Sequence, residues 1–331
     1  MRNRKNWLIT GGCGFIGTAL IKNLMGSGHH RVRVLDNLSV GSRDDLSRVC
    51  NFKEISINNL SSDPTALSSD MVQLVVGDIR DPDTCLICAR DADVIVHLAA
   101  NTGVAPSVEN PRADMEANVM GTLNLLEAAR QKNVKRFVFA SSGAPAGEVN
   151  PPIHEEIAPH PVSPYGASKL AGEGYCSAYY RTFGIKTVIL RFGNVYGSGS
   201  SHKSSLVAKF IRQGLEGKTC EIYGDGNQTR DFIYIDDLVE AIRKAAEFES
   251  GGEIFQIATS KEHTVNEVAK ILQEELGQKG AIVNIAHSSP RKGDVRRNFS
   301  NTSKARKFLG WQAEVNLREG IRRTVDWFTN V

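Results

Sequence analysis

The sequence predicts an α/β fold, a doubly wound parallel sheet with helices on both faces, followed by a smaller mixed C-terminal lobe. Three observations carry this. Apolar runs alternate with helical patterns through the first two-thirds of the 331 residues. The first apolar run leads directly into a glycine turn and a helix start. Past residue 193 the alternation gives way to glycine-rich loops, short strands and scattered helices.

The first strand is expected over 7–10 (W-L-I-T), meeting G-G-C-G-F-I-G and then a helix over 16–26. Such a unit holds a pyrophosphate, because glycines permit a tight turn with close backbone approach and the helix-opening N–H groups face the anion. Gly12-x-Gly14-x-x-Gly17 fits the dinucleotide fingerprint, and Gly11-x-x-Gly14-x-x-Gly17 fits a common variant. The second strand, 31–35, ends at Asp36, nineteen residues beyond Gly17. A carboxylate there accepts the ribose hydroxyls of NAD and repels the extra phosphate of NADP. The expected cofactor is NAD.

The stretch 39–70 is polar and serine-rich, and reads as a surface insertion with a short helix. Strands are expected over 72–76, 94–98, 136–140 and 187–191, near-continuous Val, Ile, Leu and Phe runs suited to a sheet covered on both faces. Helices over 83–90, 114–132 and 164–183 connect them. Beyond these come short strands over 221–223, 254–256 and 282–285, and helices over 206–215, 236–247, 265–276 and 317–328. The expected division is a nucleotide-binding domain over 1–193 and a substrate lobe mainly over 194–331, with some chain returning to the sheet. Ligands bind such sheets beyond the carboxyl ends of the strands, so the active site is expected there.

Composition narrows the class. A net charge of +3 is too mild to argue for nucleic acid. No apolar run is long enough to span a bilayer, and the basic N-terminus leads into a strand, not a signal peptide. The six cysteines form no ligand set, so no metal is expected; Cys85-x-x-Cys88 falls in a helix and reads as small apolar packing. Nothing calls for oxidative folding, and a cytoplasmic setting is expected.

Tyr165-Gly-Ala-Ser-Lys169 follows Ser163-Pro164, where proline starts a helix. Tyr165 and Lys169, four apart, share a helix face. An ammonium there is expected to stabilise phenolate and make Tyr165 a base near neutral pH, as hydride transfer from an alcohol requires. Ser141 and Ser142, at the end of the strand over 136–140, are candidates to hold the substrate oxygen.

At this point the chain resembles a known family, the extended short-chain dehydrogenases/reductases, and within it the NAD-dependent nucleotide-sugar epimerases and dehydratases of Rossmann fold. The resemblance rests on T-G-G-C-G-F-I-G (10–17), Asp36-Asn37, G-D-I-R-D (77–81), H-L-A-A (97–100), Asn118 in A-N-V-M-G-T and Y-G-A-S-K (165–169). It continues through R-F-G-N-V-Y-G (191–197), G-D-G-N-Q-T-R-D-F-I-Y-I-D-D (224–237), R-K-G-D-V-R (291–296) and L-G-W (309–311). It implies that Gly11, Gly14, Phe15, Ile16 and Gly17 cradle the NAD pyrophosphate and that Asp36 and Asn37 hold the adenosine ribose. Asp78 and Ile79 would border adenine, while Leu98, Ala99, Ala100 and Asn118 line the cofactor. Tyr165 and Lys169 would be the catalytic pair. Asn194, Tyr223, Arg230, Arg291 and Asp294 match positions that bind the nucleotide diphosphate, base and ribose; arginines there offer bidentate hydrogen bonds to phosphate. The family commonly dimerises through two helices per subunit, here 114–132 and 164–183, which implies a homodimer.

The family's serine or threonine lies five residues before the glycine of a V-Y-G segment. Here that glycine is Gly147, which selects Ser142, although Pro145-Ala146 replaces Val-Tyr. Dehydratases of the family place Asp-Glu directly after this position to supply a further acid and base. This chain has Gly143 and Ala144, neither of which moves a proton. The resemblance therefore implies an epimerase acting at the sugar 4-position of a nucleotide sugar, most simply a UDP-sugar. The alternatives are a reductase or dehydrogenase with net redox, or an NAD-responsive binding protein. In related epimerases a tyrosine seven residues beyond the arginine of R-x-G-D disfavours N-acetyl sugars. That position is Asn298, which implies tolerance of UDP-N-acetylglucosamine alongside UDP-glucose. His97, ending a buried strand, is expected to be structural.

Overall fold

The computed structural model describes residues 4–28, 30–62, 71–290 and 295–330. In chain order it contains β1 (Lys5–Thr10), α1 (Phe15–Gly26), β2 (His30–Asp36), α2 (Arg43–Ser47), β3 (Phe52–Glu54), α3 (Ile57–Ser62), β4 (Val72–Val76), α4 (Pro82–Cys88) and β5 (Val94–His97). There follow α5 (Val104–Glu109), α6 (Pro111–Met115), a π-helical turn (Glu116–Met120), α7 (Gly121–Gln131), β6 (Arg136–Ser142), α8 (Pro164–Phe183) and β7 (Lys186–Phe192). The remainder comprises β8 (Asn194–Tyr196), α9 (Leu206–Leu215), β9 (Cys220–Tyr223), β10 (Thr229–Arg230), β11 (Phe232–Tyr234), α10 (Ile235–Glu247), β12 (Glu253–Ile257), β13 (His263–Thr264), α11 (Val265–Gly277), β14 (Ile285–Ser288), α12 (Ser303–Leu309) and α13 (Leu317–Thr329).

The main sheet has eight strands in the order β12-β7-β6-β5-β1-β2-β4-β3. Pairings from β3 through β6 are parallel. Helices flank the sheet, so the fold is the doubly wound α/β class read from the sequence. The chain builds outward from β1 in one direction, then crosses back to β5, so β1 and β5 form the topological switch point. Their register places Thr10 opposite His97, which sets the glycine turn after β1 beside Leu98–Ala100. Gly11 packs so closely that a Cβ there would lie 2.8 Å from the Ala99 backbone nitrogen.

The chain forms two compact units. One comprises the chain through Gly147 with Ala158–Arg191 and Ala241–Phe255; the other comprises Glu148–Ile157, Phe192–Glu240 and the chain from Gln256. In the second unit, β8 and β11 pair in parallel, as do β9 and β14. Buried Asp231 organises its centre, accepting from the backbone N–H groups of Thr259 (2.7 Å), Ser260 (3.0 Å) and Ser300 (3.3 Å). Asp237 likewise accepts from the backbone of Glu314 and Val315, and its carbonyl from the Trp311 indole. Asp231 and Asp237 of the R-D-F-I-Y-I-D-D segment are structural clamps.

Three segments differ from the sequence reading. The insertion contains a capped helix, α2, where Ser42 and Asp45 satisfy each other's backbone N–H groups. It also contains the edge strand β3, whose three half-buried or exposed residues (F-K-E) carry too little pattern to read. The single helix expected over 114–132 is α6, the π-turn and α7 in succession, an interruption that turns Asn118 inward. The strand expected over 282–285 lies at Ile285–Ser288: Ile282 is exposed, while Val283 is buried against Gly214 of α9. The strand around 254–256 proves to be β12, at the edge of the main sheet beside β7.

Candidate active site

Helix α8 begins as its sequence dictates. The Ser163 hydroxyl caps the Gly166 N–H at 3.1 Å, Pro164 fills the first turn, and Gly184 closes the helix in the left-handed conformation. Gly172 lets α8 lie against the end of β6, since a Cβ there would meet the Phe139 ring at 2.5 Å. Successive turns of α8 thereby reach three successive residues of the strand. Ser142 acts on the Tyr165 phenol, favouring its phenolate form. Lys169 Nζ donates to the Ala140 carbonyl at 2.9 Å. The Ser141 hydroxyl donates to Glu173 at 2.6 Å.

This division separates the two serines. Ser142 Oγ accepts from the Ala144 N–H at 2.9 Å, which holds it at the start of the loop, and it lowers the pKa of the Tyr165 phenol. Ser141 is buried and committed to Glu173, which in turn forms a buried bidentate pair with Arg191 (2.8 and 2.6 Å). Ser141 is thereby taken up within the protein, and Ser142 is the serine that acts on the phenol. The following Gly143 and the 3₁₀ turn Ala144–Ala146 carry no ionisable side chain.

The electrostatics depart from expectation. Burial pushes the Tyr165 phenol above its ordinary value, opposed by Ser142 and reinforced by Asp114. Lys169 lies with Nζ 6.0 Å from the Tyr165 ring centre and is directed at a carbonyl, so desolvation outweighs it. The ammonium itself is brought down to about 8 by burial, with Asp114 and then Glu173 opposing, and it stays protonated near neutral pH. His97 is fully inside and held at about 3 by burial and the Lys169 charge. Its protons follow from its neighbours: the Ala99 N–H donates to Thr10 Oγ1, leaving that hydroxyl to donate to Nδ1, while Nε2–H donates to Thr122 Oγ1, which donates to the Asn118 carbonyl. His97 is thus a neutral structural link, as expected.

Around the switch point the residues fit a dinucleotide. Gly14 caps α1 with no side chain over the helix N-terminus, leaving the end that carries Phe15, Ile16 and Gly17 open to an anion. Gly11 has φ +68°, and a Cβ on Gly17 would lie 2.4 Å from the Gly11 carbonyl, so the turn tolerates only glycine there. Asp36 accepts from the Cys13 N–H (2.9 Å) and the Leu38 N–H (2.8 Å), tying the glycine turn to the end of β2. Burial raises its carboxyl, against those two hydrogen bonds. Asn37 donates to Asp78 at 3.1 Å, bringing together two residues expected at the adenosine, and Arg80 beside it holds Asp78 at about 2. Ile79 is buried, with Gly121 beneath it. Asn118 is committed to protein partners: its Nδ2 reaches the Asn101 carbonyl, Asp114 and Ser168, and its Oδ1 accepts from the Asn101 N–H.

In the second unit, the Asn194 N–H donates to the Asp231 carbonyl at 2.8 Å. Arg230 Nη1 donates to the Thr229 (2.6 Å) and Val295 (2.7 Å) carbonyls, which ties it to the segment that leads to Asn298. Tyr223 ends β9, with Lys209 over its ring at 5.5 Å. Arg291 and Asp294 lie outside the described residues. The sequence reading missed Asp114, Ser168, Glu173 and Arg191. Asp114 and Glu173 stand four residues from Asn118 and Lys169, spacing that could have flagged them; Arg191 carried no such local signal.

A nucleotide-binding sheet whose sixth strand ends against a Tyr-x-x-x-Lys helix defines the class. The model of the NAD dependent epimerase/dehydratase family matches residues 7–258, and the chain belongs to that family. It is 38% identical over 328 residues to a putative UDP-glucose 4-epimerase of Methanocaldococcus jannaschii, covering 98% of each chain. Among solved structures, UDP-glucose 4-epimerase of Thermus thermophilus in complex with NAD superposes with TM-score 0.83 at 36% identity, over 98% of this chain and 99% of that one. UDP-N-acetylglucosamine 4-epimerase of Methanobrevibacter ruminantium gives TM-score 0.86 at 29% identity, over 99% of both. UDP-glucuronate 4-epimerases and dehydratases also match.

Proposed function

We propose that the protein is an NAD-dependent 4-epimerase of UDP-sugars, UDP-glucose and UDP-N-acetylglucosamine among them. The observation that carries this is the placement of Tyr165 and Lys169 one turn apart on α8 against the end of β6, where Lys169 donates to Ala140 and Ser142 favours the Tyr165 phenolate, with no acid or base in the loop that follows. In this reading Ser142 holds the 4-oxygen of the sugar and Tyr165 takes its proton. NAD, held by the glycine turn and Asp36, would supply the hydride acceptor and donor for C4, so that the 4-keto sugar can be reduced on its other face. Tyr165 then gives its proton back, so neither charge nor redox state changes over a turnover. Lys169 keeps a positive charge beside the phenol and offers donors to the ribose hydroxyls. The glycine turn and the open end of α1 hold the pyrophosphate, with Asp36, Asn37 and Asp78 at the adenosine. Dehydration needs a further acid and base, and Gly143 and Ala144 supply neither.

The nucleotide end of the substrate is assigned to Asn194, Tyr223, Arg230, Arg291 and Asp294, and Asn298 to the sugar, where it leaves room for an N-acetyl group. A homodimer through α6, α7 and α8 belongs to the same reading, supported by the exposed Met115, Met120, Tyr175 and Phe183; light scattering checks it. No helix among the described residues is long and apolar enough to cross a membrane.

The test is incubation of the purified protein with each UDP-sugar, resolving the 4-epimers by chromatography while following nicotinamide absorbance. Interconversion of both sugars without net absorbance change is expected. Turnover of UDP-glucose alone would refute the N-acetyl assignment, and stoichiometric NADH formation would refute epimerisation.

A further inference from the structure

Asp114 lies on α6, which packs against α8, and the family resemblance gives it no role. It is 2% exposed. Its Oδ1 accepts from Asn118 Nδ2 at 3.0 Å, the same amide reaches Ser168 Oγ at 3.0 Å, and Ser168 Oγ donates to the Tyr165 carbonyl at 3.0 Å. A hydrogen-bonded bridge therefore runs from Asp114 to the backbone of the proposed base. The other carboxylate oxygen, Oδ2, is buried with no hydrogen-bond partner. A bare buried carboxylate oxygen is costly unless a positive charge lies near it, and Lys169 is the buried cation of this neighbourhood, 4% exposed.

We propose that Asp114 is a positioning residue, the buried counter-charge that keeps an ammonium at Lys169 while its second oxygen fixes Asn118 and, through Ser168, the first turn of α8. This rests on the reading of Tyr165 and Lys169 as the reacting pair. The groups that act on Lys169 are Asp114 from α6, Glu173 and Cys176 from α8 itself, and His97 from β5, with the Phe139 ring of β6 5.0 Å from Nζ. Of these, Asp114 is the largest influence opposing desolvation of the ammonium. Ser142 and Asp114 act on Tyr165. A negative charge raises the pKa of both neighbours, so its removal lowers both.

Asp114→Asn is the test, since the amide keeps an oxygen for Asn118 and loses the charge. Tyrosinate absorbance of the protein, taken as the difference from its Tyr165→Phe counterpart, reports the phenol without substrate. In Asp114→Asn it should titrate lower by about one pH unit, and both limbs of the kcat profile should move the same way. Ser168→Ala, which breaks the bridge and keeps the charge, should lower the rate and leave both titrations in place. An unmoved tyrosinate titration in Asp114→Asn overturns the proposal. So does failure of both Asp114→Asn and Asp114→Ser to fold, which would assign the residue to structure alone. A shifted titration in a protein that epimerises no UDP-sugar would uphold the proposal while refuting the function above.

Discussion

Replacing Lys169 with methionine preserves the length of the side chain and removes its charge. In the folded protein the ammonium is lowered from 10.5 to about 8, chiefly by burial. Between those values the unfolded chain holds a proton that the folded chain has lost, so the stability contributed at this position rises with pH across that window. Below pH 8 the protein carries the full penalty of a buried ammonium. At about 1.4 kcal/mol for each pH unit, that penalty is about 3 kcal/mol. Methionine removes it but leaves the Ala140 carbonyl without its 2.9 Å donor, a loss of about 1 kcal/mol. Lys169→Met should therefore be more stable by about 2 kcal/mol at pH 7, an advantage that vanishes towards pH 10. Urea unfolding of both proteins at the two pH values measures this, and epimerase activity should be lost. A variant less stable at pH 7, or a difference independent of pH, would refute the reasoning.

Glu173→Ala leaves Arg191 buried with neither of its carboxylate bonds, and its Nη1 already lacks a partner, so a loss of about 3–5 kcal/mol is expected. Adding Arg191→Met should recover part of it, read from urea midpoints; additive losses would mean the pair is not coupled. Tyr165→Phe should lower turnover at least about 100-fold while NAD binding, followed by fluorescence quenching, is retained. Ser142→Ala should lower kcat with the substrate Kd little changed. Thiol labelling of the native protein should be slow at Cys13, Cys85, Cys88, Cys176 and Cys220, which are all buried, with Cys50 the fastest to react; rapid labelling at Cys85 and Cys88 would refute their reading as apolar packing.

Much of this architecture was legible because its signals are local. The run from Trp7 to Gly17 contains the whole strand–turn–helix unit, and Ser163-Pro164 fixes where α8 begins. Asp36 was read correctly as the end of β2, yet its tie to the Cys13 N–H joins residues 23 apart and needs the fold to be seen. Glu173 and Arg191 show the limit most clearly. Each reads as an ordinary charged residue, and only the fold, which brings Glu173 of α8 onto Arg191 of β7, makes them a buried pair. The Tyr165–Lys169 spacing correctly put both on one helix face, but spacing carries no information on desolvation, so the direction of the phenol's shift was misjudged.

That misjudgement bears on how the site works. A phenol raised by burial stays protonated in the protein alone, and the ammonium 6.0 Å from its ring centre is occupied with Ala140. Burial and Asp114 work against phenolate at Tyr165, and added positive charge or stronger donors favour it. Ser142 favours the phenolate, and a substrate hydroxyl entering beside it would compete for the same hydroxyl. Proton abstraction is then coupled to occupancy of the site. The Tyr165 tyrosinate titration should accordingly move to lower pH on adding NAD⁺, and a titration indifferent to NAD⁺ would place the activation of Tyr165 elsewhere.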